Sequence, residues 1–159
     1  MAQSDRGRIE LFYDFFGEDN VANTAETRLL GPFIVGGQGN AETDAGVPTI
    51  AGMVSGAGRI TTTNEDNHCT MVGTNTGFSA SLMGPIVLEA RVQLDNLDTK
   101  EVFFGLSDID PNTLNLEGTL IHGASTTITL TASDICGFLL SSELTDDEDW
   151  HMVYNGGST

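Results

Sequence analysis

Positive charge is scarce in this chain. Six Lys+Arg stand against 23 Asp+Glu, for a formal net charge of −17, and Lys100 is the single lysine. A surface this negative repels phosphate, which argues against nucleic acid and against anionic membranes as partners. The few arginines are scattered apart from Arg6 and Arg8. The plain reading is a solvated acidic face; the sharper one is a surface suited to high salt or to a basic partner. Cysteine is short as well. Cys69 and Cys136 are too few for a disulfide framework, and each lies near apolar residues (Met71 and Val72; Ile135 and Phe138). Two buried free thiols are therefore expected, with a single bridge left open. No apolar run approaches the length of a membrane span, and residues 1–8 lack the apolar segment of a signal peptide. The expectation is a chain made in the cytoplasm that stays in solution.

What is plentiful is glycine, 19 residues in 159, with apolar residues at 39%. Glycine is unfavourable inside helices and at home in turns, so the pairing suits many short strands. Residues 1–8 read as a flexible arm and 9–159 as one β-sandwich domain. Arg8 to Phe16 reads as a strand with aromatics on both faces, and residues 17–28 as loop. Pro32–Val35 is a short strand closed by Gly36-Gly37-Gln38-Gly39, followed by loop to about Gly46. Ile50–Val54, Arg59–Thr63 and Cys69–Gly73 are three further short strands. From Pro85 to Leu94 the alternation is strict: Ile86, Leu88, Ala90, Val92 and Leu94 on one side, Val87, Glu89, Arg91 and Gln93 on the other. This predicts a half-buried strand that turns at Asp95–Asp98 and pairs with Glu101–Leu106. Thr126–Thr131, Ile135–Leu140 and Trp150–Tyr154 complete the list. The pattern is all-β, an antiparallel β-sandwich or jelly roll.

Motifs for chemistry are thin. Asp108-Ile109-Asp110-Pro111-Asn112 has the opening spacing of a calcium loop, but Thr113 stands where glycine is needed and Thr119 where the bidentate glutamate is needed. It reads as an acidic turn. The histidines His68, His122 and His151 stand far apart, and His68 and Cys69, as neighbours in a strand, point to opposite faces. A glycosidase on such a fold needs two carboxylates across a cleft. Glu10 and Asp14 are the one in-strand pair at suitable spacing, and nothing around them is built for a sugar. No nucleophile elbow, phosphate loop or dinucleotide fingerprint occurs. The sequence therefore predicts no enzyme, no cofactor and no metal site.

The order of segments carries a resemblance. Phe12-Tyr13-Asp14-Phe15-Phe16, Arg59-Ile60-Thr61-Thr62, Gly84-Pro85-Ile86-Val87-Leu88-Glu89-Ala90-Arg91-Val92, Val102-Phe103-Phe104-Gly105-Leu106-Ser107-Asp108, Ile135-Cys136-Gly137-Phe138 and Trp150 follow one another over about residues 9 to 156. The most specific part is the pairing of Glu89–Val92 with Val102–Asp108. The chain resembles the concanavalin/laminin-G-like jelly-roll proteins of tailed bacteriophages, which decorate capsids or form head fibres. The resemblance implies two packed antiparallel sheets, a structural role on the virion with the major capsid protein as partner, homo-oligomers, and no catalytic residues. On that reading Arg6 and Arg8 attach the arm to an acidic capsid face, and Phe12, Phe16, Trp150 and Tyr154 are oligomer contacts. Sandwiches of this type continue beyond the Trp150 strand, so the chain is expected either to be a fragment or to be completed by a neighbouring subunit. The alternative is a glycan-binding, lectin-like module; the aromatics fall in apparent strands rather than loops, which weighs against it.

Overall fold

Every strand pair in the structure, a computed structural model that describes residues 11–14, 21–22, 28–39, 46–47, 56–63, 65, 67–74 and 85–156, is antiparallel. Helical geometry among the described residues is limited to one π-helical turn, Leu116–Leu120. The all-β, antiparallel class predicted from the glycine and strand pattern is therefore the class observed. The chain divides into two compact units, residues 1–75 with 110–115, and 76–109 with 116–159.

In the first unit β1 (Val21–Ala22) pairs with β4 (Gly46–Val47). A three-stranded sheet runs β2 (Arg28–Leu30), β3 (Phe33–Gly36), β5 (Met71–Gly73). Its core is Leu30 and Val35, both buried, with Tyr13 and Val72 packed against them. The glycine run after β3 has a steric purpose. Gly37 sits at φ 104°, a conformation L side chains rarely adopt. Its N–H donates to Pro111 O (2.8 Å), Gln38 N–H donates to Leu114 O (2.7 Å), and Cys69 N–H donates to Gln38 O (2.7 Å). A Cβ on Gly36 would stand 2.8 Å from Pro111 O. Residues 110–115 can lie against this backbone because no side chain intervenes.

The second unit is built on a sheet ordered β10 (His151–Asn155), β9 (Ile135–Ser141), β6 (Glu101–Ser107). Beside it β7 (Ile121–Ala124) and β8 (Thr127–Leu130) form a hairpin. The hairpin's turn is tied to the segment after β9: Ser125 N–H donates to Glu143 O and Thr145 N–H to Ser125 O, each 2.7 Å. The buried apolar residues are Leu120, Ile121, Ala132, Ile135, Leu139, Leu140, Leu144 and Val153. Gly105 and Gly137 are cross-strand partners. A Cβ on Gly105 would stand 2.6 Å from Gly137 Cα, and the Phe103 ring lies over both glycines, 2.8 and 2.9 Å from where their Cβ atoms would be. An aromatic laid over glycines restores the packing that the missing side chains give up.

Several expectations need correction. Pro85–Leu94 is not a strand, and β6 takes β9 as its partner instead of that segment. Leu88 is 47% exposed, and Ala90 and Val92 are exposed too, so the expected buried row does not exist. Alternation shows that two faces differ in character but does not choose a partner. β9 offers a glycine opposite Gly105 and the apolar residues Ile135, Leu139 and Leu140. Residues 11–14 and Arg59–Thr63 form no strand, while parts of the expected loops form β1, β2 and β4. β7 falls on residues to which the sequence pattern assigns no element. Phe15 and Phe16, Ile50–Val54 and the arm with Arg6 and Arg8 lie outside the described residues. Both cysteines are free, as expected, but neither is buried: Cys69 is half-buried and Cys136 is exposed, on the outward parity of β9.

Core and surface therefore trade places relative to the sequence reading. Leu139→Ala, which truncates a fully buried side chain, should destabilise the protein by about 2–5 kcal/mol, and Leu88→Ala by less than about 1 kcal/mol. Denaturant unfolding of the two variants checks this; equal losses would restore the 85–94 strand to the core.

Candidate functional site

Register fixes what each face of the β10-β9-β6 sheet presents. Tyr154, Cys136 and Leu106 are cross-strand partners, as are Met152, Phe138 and Phe104. Partners point to the same side of a sheet, so these six form two apolar rows on one face. The other face carries the alternate residues Val153, Ile135, Leu139 and Ser141, all buried. The apolar rows are open to solvent at the β10 side: Met152 is 74% exposed and Tyr154 62%, with Phe138 exposed as well. Trp150, exposed just before β10, shares the parity of Met152 and extends the patch. Among the described residues β10 pairs on one side alone, which leaves its outer backbone edge available. Of the expected contact residues, Trp150 and Tyr154 thus stand on one exposed face. Phe12 is also exposed, 72%, in the first unit.

The buried face of the same sheet ends in polar chemistry. Glu101 opens β6 directly opposite Ser141, which is fully buried at the end of β9. The Ser141 hydroxyl accepts from Glu143 N–H (3.3 Å) and hydrogen-bonds the Glu101 carboxylate. Gly123 N–H, from β7, donates to Glu101 Oε1 at 3.3 Å. Next to it in sequence is His122, and Glu117 stands on the π-helical turn that leads into β7. Ligand atoms of Glu101, Glu117 and His122 all lie within 4.8 Å of one another. Among the described residues this is the one group of three metal-ligating side chains that converges. Burial pushes the Glu101 carboxyl above its ordinary 4.5; the hydrogen bonds from Ser141 and Gly123 oppose the rise, the Glu117 charge adds to it and His122 lowers it.

The sequence reading passed over this cluster, because its members come from three separate elements and no short motif joins them. The one available signal was a glutamate and a histidine five residues apart, Glu117 and His122. The sites it did weigh are used otherwise. Asp110 Oδ1 accepts from Asn112 N–H (2.8 Å) and Nδ2 (3.1 Å), closing a turn, while Asp108 accepts from Asp134 N–H (3.3 Å). His68 Nδ1 lies 2.9 Å from Thr63 Oγ1 and 3.3 Å from Glu65 Oε2, whereas Cys69 Sγ donates to Leu114 O (3.1 Å). His68 and Cys69 serve different partners.

No protein-family model, curated protein or solved structure matches the chain.

The raised Glu101 carboxyl has a definite sign in stability. A carboxyl whose folded pKa lies above its unfolded value binds more protons when folded, so its contribution is present below the unfolded value and lost as pH rises through the folded one. In chelator-treated protein, wild type should therefore lose stability relative to Glu101→Gln as pH climbs from 4.5 toward neutrality. Denaturant unfolding at several pH values reads this difference, in which the general repulsion of an acidic chain cancels. Parallel profiles would show that Glu101 is not held in a desolvated state.

Proposed function

We propose that the chain is a structural assembly subunit, of the capsid-decorating kind that its sequence resembles, and not an enzyme. The observation that carries this reading is the exposed apolar face of Trp150, Met152, Tyr154 and Phe138 beside β10, which among the described residues pairs on one side alone. Isolated exposed apolar residues are ordinary on protein surfaces, whereas aligned rows on one sheet face mark a place of association. Tryptophan and tyrosine are also the residues that dominate binding energy at interfaces. Copies of the chain meet through this face, and the arm with Arg6 and Arg8 attaches the assembly to the capsid shell. The net charge of −17 keeps crowded copies from aggregating at random, so that apolar contact succeeds only where the faces match. The virion is the place of action on this reading, with the major capsid protein as partner.

Association through an apolar face between like-charged copies should tighten as salt is added, because screening removes the repulsion and leaves the contact. Met152→Asp should weaken self-association by at least about tenfold, or ~1.4 kcal/mol, with the fold intact because Met152 is largely in solvent. Sedimentation equilibrium at low and high salt measures both. Removing residues 1–8 should reduce binding to capsids lacking the protein more than it reduces stability. A monomer at all salt concentrations that also ignores such capsids would refute the proposal. Specific capture on a glycan array, lost in Trp150→Ala and Tyr154→Ala, would instead assign the exposed rings to sugar stacking.

A further inference from the structure

We propose that Glu101, Glu117 and His122 bind a single divalent transition-metal ion of the zinc type, with His122 ligating through Nδ1. The His122 ring is partly exposed, yet its Nδ1 atom has no contact with solvent and no hydrogen-bond partner. A buried nitrogen left in that state loses its hydration without compensation, and such atoms are rare enough to require a reason. Glu117 Oε2 stands 3.8 Å from this nitrogen, beyond hydrogen-bonding distance. For two ligands of one ion the spacing is nearly right. Tetrahedral zinc with bonds of about 2.0–2.1 Å separates its ligand atoms by ~3.4 Å. Small side-chain rotations bring all three ligand atoms, now within 4.8 Å of one another, to a common centre.

Charge points the same way. Two carboxylates and one imidazole around a doubly positive ion make a neutral group, whereas without the ion the Glu117 charge works against ionisation of the partly buried Glu101. The partners of Glu101 already act as an outer layer: Gly123 N–H and the Ser141 hydroxyl hold the carboxylate in place, as groups around metal ligands commonly do. Glu117 and His122 are partly exposed, so the ion has a path in from solvent. The donor set selects the ion. An imidazole with two carboxylates suits zinc and its neighbours, while calcium takes six to eight oxygens and magnesium an octahedral oxygen shell. The ion would clip β6 to the π-helical turn and to β7, three elements that are not hydrogen-bonded to one another as strands. Its role is structural.

The test uses the full chain after chelator treatment, titrated with zinc chloride by calorimetry. One equivalent should bind in the micromolar range or tighter, with a raised melting temperature, and millimolar calcium or magnesium should not displace it. His122→Ala and Glu117→Gln should each weaken binding at least about tenfold. His68→Ala, which removes the other Glu-paired imidazole, should leave it unchanged. Nitrogen-detected NMR of the wild type keeps the proposal falsifiable should His122→Ala not fold: zinc should shift Nδ1 of His122 and not Nε2. Absence of saturable binding below millimolar zinc, binding indifferent to both His122→Ala and Glu117→Gln, or a shift on another histidine would each overturn the assignment.

Discussion

The second unit depends on how closely β6 and β9 approach at Gly105 and Gly137. Two glycines face each other there under one phenylalanine ring, and a side chain at either would collide with the opposite backbone. That contact holds the pairing in one register, and the register distributes every other residue of the sheet. Glu101 is placed opposite Ser141, with its carboxylate near β7, while Phe104 and Leu106 are sent to the face shared with Phe138 and Cys136. A slip by one residue would bring the acid to the apolar face and the aromatics to the polar pocket. The polar cluster and the exposed apolar face are thus two outcomes of one steric fact.

The first unit uses glycine in a related way. Gly36 ends β3 opposite Met71 of β5, and the Gly36–Gly39 stretch also receives a peptide segment, residues 110–115, whose carbonyls accept from Gly37 and Gln38. In both units these particular glycines mark places where backbone meets backbone, a different use from the turn chemistry that composition alone suggests.

How much of this was legible follows from range. Strands marked by local chemistry were readable: Phe33–Gly36, Met71–Gly73, Glu101–Ser107, Thr127–Leu130, Ile135–Ser141 and His151–Asn155 all fall on segments rich in branched or aromatic residues. β7 was not, because Ile121-His122-Gly123-Ala124 has a histidine and a glycine where alternation should be plainest. Pro85–Leu94 misled in the opposite sense, having the best alternation in the chain and no strand. The exposed Trp150 and Tyr154 were recognisable as aromatics near a terminal strand. The Glu–Glu–His cluster was not, since its assembly requires knowing that β6 lies beside the turn before β7. Local pattern reports which residues favour a pleated backbone; partners and sites are decided by long-range fit.

The choice of a distant partner by β6 has a consequence for the route to the fold. A hairpin between 85–94 and 101–107 would close a short loop, while the native pairing with 135–141 waits for a much longer one, with a larger entropic barrier to closure. Topologies dominated by such remote pairings fold slowly. During that interval the alternating segment at 85–94 is a rival within easy reach, competent to zip onto β6 before β9 arrives. Were such a hairpin to form first, the glycine pair would favour its replacement by β9, since 85–94 contains no glycine to face Gly105.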